Sequence, residues 1–280
     1  MNIHTLLQSA TQLLQDYSSS PRLDAEILLA HVLQKPRSFL YAHAEQTLSD
    51  IALSTFQKLL SARKSGQPVA YLIQSQEFWS LNLQVSPATL IPRPETELMV
   101  ELALEYFKNM KNIHLLELGT GSGAIALAIA KEKPGWTITA VDISKEALQI
   151  ARTNALTLNI SNVQFIQSNW FELVPKSTRF DLILSNPPYL AADDPHLPQL
   201  IHEPLQALVS GPSGLESLHT IIQQSKHWLS TSGRLILEHG YTQGDAVQNF
   251  FKQYDYKAIQ TFCDLQKHPR ITTGTPEIKI

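Results

Sequence analysis

The run Leu115-Leu116-Glu117-Leu118-Gly119-Thr120-Gly121-Ser122-Gly123 leads directly into Ala124 to Ala130, and no other stretch narrows the folds open to this chain as much. An apolar segment, a glycine-rich turn and an alanine-rich helix, in that order, read as a buried strand opening a parallel sheet. Glycine at the turn lets the backbone reverse sharply and lie close to a ligand that no side chain obstructs. The spacing Gly119-x-Gly121-x-x-Ala124 meets the dinucleotide fingerprint, with Thr120 and Ser122 between the glycines. Asp142 lies 23 residues past Gly119, at the tip of the next strand, where a carboxylate can accept both hydroxyls of an adenosine ribose. NAD and S-adenosylmethionine both suit such a site. A plainer role for Asp142 is to cap the helix that begins near Ser144.

Around this unit, patterning divides the 280 residues into three parts. Residues 1–66 are helical: Leu6, Leu7, Leu13 and Leu14 mark one helix, Leu23, Ile27, Leu28 and Val32 a second, and a third is expected from Ser49 to Lys64. Ser20-Pro21 suits the start of the second, serine capping free N–H groups and proline taking the first helical position. Residues 67–94 turn to alternation, with Phe78, Leu81, Leu83 and Val85 among polar residues and Pro87, Pro92 and Pro94 barring a helix, so a β-hairpin linker is expected. Residues 95–280 open with a helix from Glu95 to about Asn109. Strands follow at Ile113 to Leu118, Trp136 to Asp142, Val163 to Ser168, Phe180 to Ser185, Arg234 to Glu238 and Tyr256 to Cys263. Helices at about Ser122 to Lys131, Lys145 to Leu158, Leu215 to Leu229 and Gly244 to Phe251 connect most of them, and right-handed crossovers wind the sheet. The expected fold class is α/β, with a Rossmann-like sheet, a small N-terminal helical domain and a β-hairpin linker.

The strand Phe180 to Ser185 ends on Asn186-Pro187-Pro188-Tyr189, at the sheet edge where ligands bind in open α/β folds. Two prolines stiffen that loop and remove two N–H donors, which leaves nearby carbonyls as acceptors, and Asn186 adds a side-chain carbonyl. A nitrogen conjugated to a carbonyl or ring is a poor nucleophile with two in-plane hydrogens. Acceptance of both hydrogens, by the Asn186 side chain and the Pro187 carbonyl, would turn the NH2 group toward a methyl donor and let it become tetrahedral, while Tyr189 packs on the planar group. Positioning at about 3 to 3.5 Å could then supply roughly 7 to 11 kcal/mol. A rigid proline turn ending a strand is the plainer reading.

With 22 basic and 25 acidic residues the net charge is -3, which argues against a protein that grips duplex nucleic acid by its phosphates, so no stable nucleic-acid binding is expected. Hydrophobic residues at 43% and charged residues at 17% support a packed core rather than disorder. The run Ala124 to Ala130 falls far short of the roughly 18 residues of a membrane span. Met1 to Thr5 has no basic region leading into an apolar one, so a cytoplasmic protein away from membranes is expected. Cys263 stands alone, which excludes an internal disulfide and a cysteine-built metal site; a buried place in a late strand is expected for it. The ten histidines show no helical zinc spacing, and no metal is expected.

Several further stretches resemble the HemK/PrmC family of protein-(glutamine-N5) methyltransferases, over nearly the whole chain. Ser20-Pro21-Arg22-Leu23-Asp24-Ala25-Glu26 is similar to the family's helical domain, and Pro68 to Leu72 with Glu77-Phe78-Trp79 to its hairpin. Thr89-Leu90-Ile91-Pro92-Arg93-Pro94-Glu95-Thr96-Glu97 is the most family-specific stretch; His202 to Leu208 and Leu237-Glu238-His239-Gly240 extend the likeness. The resemblance implies a class I S-adenosylmethionine methyltransferase sheet acting on the glutamine of the Gly-Gly-Gln motif in class 1 peptide chain release factors. It implies cofactor contacts from Gly119, Thr120, Gly121, Ser122, Gly123, Asp142, Trp170 and Asn186, with Asn186, Pro187, Pro188 and Tyr189 holding the glutamine. For Arg93, Glu95 and Glu97 a solvated helix start is the alternative. Asn169 replaces a more usual acidic or small residue, Ser75 and Ser80 stand where glycine is frequent, and the stretch after Arg270 is longer than usual. A nucleic-acid amino-methyltransferase would use the same Asn-Pro-Pro-aromatic chemistry, an NAD-dependent oxidoreductase the same glycine loop, and a catalytically silent docking module neither.

Overall fold

The computed structural model describes residues 1–277. The chain divides into two units, Met1–Ser75 and the remainder from Gln76. The first contains α1 (Ile3–Leu14), α2 (Pro21–Leu33), α3 (Arg37–Ala42), α4 (Asp50–Lys64) and α5 (Val69–Ile73). Asn2 caps α1 by accepting from the Thr5 N–H at 2.9 Å, and Leu6, Leu7, Ala10 and Leu14 face inward. Ser20 does not cap α2 as its position suggested. Its hydroxyl donates instead to Asp24 Oδ1 at 3.0 Å, because Asp24 is buried and a buried carboxylate must be paired. Arg63 Nε completes that site at 2.7 Å from Asp24 Oδ2. Burial alone would raise the Glu26 carboxyl, but hydrogen bonds from Tyr41, Arg37 and Arg22 outweigh it and hold the group below its ordinary range. The conspicuous charges of α2 are therefore structural. The pattern in the sequence foretells neither α3 nor α5. Val69–Ile73 sits where alternation suggested a hairpin, yet Pro68 starts a short helix whose Val69, Leu72 and Ile73 pack on the helical core.

The hairpin follows, as β1 (Ser75–Phe78) and β2 (Leu81–Gln84). A 3-10 turn over Pro94–Thr96 precedes α6 (Glu97–Tyr106), so this helix begins two residues later than expected. The sheet unit continues with β3 (His114–Leu118), α7 (Ala124–Glu132), β4 (Thr137–Asp142), α8 (Lys145–Thr157), β5 (Val163–Gln167) and β6 (Phe180–Ser185). It closes with α9 (Glu216–Ser225), β7 (Leu229–Glu238), α10 (Gly244–Gln253), β8 (Tyr256–Cys263) and β9 (Pro269–Pro276). The seven-stranded sheet has the order β5-β4-β3-β6-β7-β9-β8. β3 pairs in parallel with β4 and β6, and β9 runs antiparallel to β7 and β8. Side chains alternate between faces as the pleat requires: Leu182 and Leu184 join the core under α6 and α7, and Ile183 joins the core under α9 and α10.

The sheet has one strand more than expected. Pro269–Pro276 is rich in threonine and proline and carries a glycine, so nothing marks it as an interior strand, yet it lies between β7 and β8. Its buried Thr272 hydroxyl sits 2.9 Å from His239 Nε2 and 2.8 Å from the Thr261 hydroxyl, and such pairing is what allows polar residues there. Cys263 closes the edge strand β8 and is exposed, not buried, because only the inner neighbour covers that strand.

Candidate active site

The strand order reverses between β3 and β6, since the chain moves from β3 to β4 on one side and returns to β6 on the other. A cavity of about 500 Å³ opens at the carboxyl ends of these strands, the position expected for a ligand crevice. The glycine loop forms its floor. The Gly119 and Thr120 N–H groups both donate to the Val141 carbonyl at 2.9 Å, which folds the loop over β4. Gly119, Gly121 and Gly123 have φ of 74°, 56° and 85°, a region that side chains disfavour. A Cβ at Gly121 would meet nothing within 4 Å, so its backbone faces open space. Thr120 and Ser122 line the cavity with largely buried side chains, whereas Gly123 lies outside the lining and starts α7.

Two carboxyl groups meet beside this loop. Asp142 Oδ2 accepts from the Gly121 N–H at 2.8 Å and Oδ1 from the Ser144 N–H at 2.9 Å. Burial still raises its pKa against these bonds. The helix-capping role falls to Ser144, whose hydroxyl oxygen accepts from the Ala147 N–H, and Asp142 remains at the cavity wall. Glu117 is the residue that sequence reasoning passed over. Its Oε2 accepts from the Thr120 hydroxyl at 2.6 Å and the Ala126 N–H at 3.2 Å, and burial, reinforced by the charge of Asp142, pushes the carboxyl up to about 8. An acidic residue inside the apolar strand Leu115-Leu116-Glu117-Leu118 was the available signal. Trp170, after β5, is half-buried with φ 46°; its Cζ3 would lie 3.7 Å from a Cβ at Gly119, so the ring roofs the loop. Asn169 also lines the cavity, and its side chain donates to Glu172 at 2.8 Å.

The tetrapeptide closes the far wall through Asn186 and Pro188; Pro187 is buried behind them, and Tyr189 lies outside the lining. Ser185 anchors its start by donating to the Leu118 carbonyl at 2.8 Å. Asn186 Nδ2 donates to the Thr96 hydroxyl at 3.2 Å, while Asn186 Oδ1 is buried and has no hydrogen-bond partner. An acceptor left so costs about 1 to 3 kcal/mol, which makes it conspicuous in a native fold. The Tyr189 carbonyl accepts from Gln243 Nε2 at 2.9 Å, and a Cβ on Gly214, φ 76°, would come within 2.5 Å of that oxygen. Burial and the charge of Glu238 keep the Tyr189 phenol protonated.

From the stretch Thr89 to Glu97, Thr89, Leu90, Pro92, Arg93 and Thr96 line the cavity, while Glu95 and Glu97 stand in the first turns of the 3-10 helix and of α6, where a helix start was the alternative. Glu203, largely buried, pairs with Arg93 and accepts from the Ile91 N–H at 3.1 Å, which ties together segments more than a hundred residues apart. Glu97 accepts from the Trp79 N–H at 2.7 Å and so fixes the hairpin to α6. The contributions of Thr96 and Glu203 were hidden in the sequence, because only tertiary pairing gives them partners.

Among the described residues no group of His, Cys, Asp and Glu could hold a metal ion, and no helix is long and apolar enough to cross a membrane. Residues 5–73 match the family model described as PrmC N-terminal domain, and residues 109–272 the model described as methyltransferase domain. The chain is 46% identical over 277 residues to the release factor glutamine methyltransferase of Vibrio cholerae, covering 98% of this chain and 96% of that protein. It is 45% identical over 273 residues to the protein of the same name in Escherichia coli K12, covering 97% of each. Among solved structures, a methyltransferase from Pyrococcus furiosus shares the fold at 18% identity and a TM-score of 0.55, over 80% of this chain and 100% of that one.

Proposed function

The chain belongs to the family of release factor glutamine methyltransferases, and from that membership we propose that it transfers a methyl group from S-adenosyl-L-methionine to the side-chain amide nitrogen, N5, of the glutamine in the Gly-Gly-Gln motif of class 1 peptide chain release factors. The observation that carries the reading is Asn186 Oδ1, a buried acceptor without a donor on the wall of the cavity. A primary amide supplies such a donor.

The residues of the cavity suit the methyl donor. The open backbone at Gly121 leaves room for close approach, Asp142 retains lone pairs for ribose hydroxyls, and Trp170 offers an aromatic face to adenine. S-adenosyl-L-methionine supplies, when bound, a methyl group on a positively charged sulfur. Gly119, Thr120, Gly121, Ser122, Asp142, Trp170 and Asn186 are the residues we assign to holding it, while Gly123, outside the lining, shapes the turn into α7. Asn186 Oδ1 accepts one amide hydrogen and aims the nitrogen. The Pro187 carbonyl and Tyr189, expected as second acceptor and as packing face, stand behind the cavity wall and would reach the amide only if the bound substrate enters past Pro188. No strong base is required of this chain, since the nitrogen becomes acidic as its lone pair is used. We assign recognition of the protein substrate to the helical N-terminal domain, residues 1–66, with 67–94 as linker and transfer in 95–280. The substrates would be met in the cytoplasm.

The test is incubation with labelled S-adenosyl-L-methionine and purified release factor, followed by mapping of the modified residue. Label on the side chain of the Gly-Gly-Gln glutamine is expected. Label only on added RNA or DNA would overturn the assignment.

A further inference from the structure

Behind the tetrapeptide, at the carboxyl end of β7, lies a buried carboxyl that the reaction as described does not use. Glu238 is almost fully buried, and its Oε2 has no hydrogen-bond partner. The Thr96 and Tyr189 hydroxyls lie near enough to its carboxyl group to favour the ionised form. Thr96 is itself buried, and its oxygen is the acceptor for Asn186 Nδ2 at 3.2 Å. A hydroxyl has one hydrogen to donate. If that hydrogen goes to Glu238, the Thr96 oxygen can only accept from Asn186, and the asparagine amide is forced to turn its NH2 toward Thr96. Its carbonyl oxygen is then left for the substrate. Were the Thr96 hydrogen free to point the other way, the amide could rotate and present NH2 to the substrate NH2, two donors face to face.

We infer that Glu238 is a positioning residue which acts through the Thr96 hydroxyl to fix the orientation of the Asn186 amide, and which holds the other end of the tetrapeptide through the Tyr189 hydroxyl. The assignment rests on the amide-methylation reading given above. The ionised carboxylate is the form that enforces this polarity, because a protonated one can donate to Thr96 and release the constraint. Burial pushes Glu238 up to about 7; the Glu95 carboxylate also raises it, while Thr96, the Arg270 guanidinium and Tyr189 draw it down. Arg93 also acts on Tyr189, and burial lowers the pKa of the neighbouring His239, aided by the Arg270 charge.

The experiment compares full-length Thr96→Val, Thr96→Ser and Glu238→Gln with the parent protein in single-turnover methylation of purified release factor, across about pH 5.5 to 9, alongside cofactor affinity by calorimetry. Thr96→Val, which keeps the shape and loses the hydroxyl, should slow transfer about tenfold, the share of one hydrogen bond, with cofactor affinity kept. Thr96→Ser should recover most of that loss. The parent rate should fall toward acid pH as Glu238 gains a proton, and Glu238→Gln should be slow with that limb abolished. Equal losses in Thr96→Val and Thr96→Ser, or parent-like transfer in Thr96→Val, would overturn the inference while leaving the function intact. A parent protein that does not methylate release factor overturns the function itself, and the inference with it.

Discussion

Replacement of Glu117 by glutamine should change how the stability of the sheet unit depends on pH, and in an unusual direction. Glu117 is fully buried, with its carboxyl pushed up to about 8 from an ordinary 4.5. In the unfolded chain the group ionises near 4.5, whereas in the folded protein it keeps its proton to about 8. Between those values the folded state binds the extra proton, so stability falls as pH rises and levels off above about 8. At about 1.4 kcal/mol per pH unit, the gap amounts to about 5 kcal/mol. Glu238, raised to about 7, adds about 3 kcal/mol over the lower part of the same window. Glu117→Gln removes the first contribution and leaves the second. The variant should therefore match the parent near pH 5 and exceed it by about 5 kcal/mol at pH 9, although most core substitutions destabilise by about 1 kcal/mol. Urea unfolding followed by tryptophan fluorescence reads the right unit, because Trp79, Trp136, Trp170 and Trp228 all lie beyond Gln76. Parallel stability curves for parent and variant from pH 5 to 9 would refute the reasoning.

Asn186→Ala should abolish most transfer while leaving stability unchanged or raised by about 1 kcal/mol, since the unpaired Oδ1 disappears; methylation rates and urea midpoints on one preparation test this. Asp142→Ala should weaken S-adenosyl-L-methionine binding by about tenfold to a hundredfold, the worth of one to two hydrogen bonds, as measured by calorimetry; undiminished affinity would remove Asp142 from the ribose site. Gly214→Ala should cost about 2 kcal/mol of stability and slow transfer, because its Cβ would lie 2.5 Å from the Tyr189 carbonyl in a left-handed backbone; a thermal melt and a single-turnover rate give both numbers.

The sequence discloses what local chemistry decides. Gly119 to Gly123 announce a turn because few other residues tolerate their backbone angles, and Asp142 and Asn186 follow because a parallel sheet brings strand ends to one edge. What stays hidden depends on partners distant in the chain. Glu203 looks like a surface charge until Ile91 and Arg93 are folded against it, and Thr96 and Glu238 carry no meaning until β7 and the 3-10 turn meet beside the tetrapeptide. β9 is hidden for the same reason: its threonines suit an interior strand only once Thr261 and His239 satisfy Thr272. Ser20 shows the converse, a local rule overridden because buried Asp24 needs its hydroxyl more than the helix start does.

If Asn186 holds the substrate amide as proposed, its unpaired oxygen would also limit how often the enzyme can act on one side chain. On the proposed reading, a primary amide would bring two hydrogens to two acceptors, Asn186 Oδ1 and the Pro187 carbonyl. The methylated amide brings one, so one acceptor then faces a methyl group, and the product should be held about 1 to 3 kcal/mol less firmly than the substrate. Transfer would stop at a single methyl and the modified protein would leave. A glutamate in the same place, which offers no N–H, would never settle there.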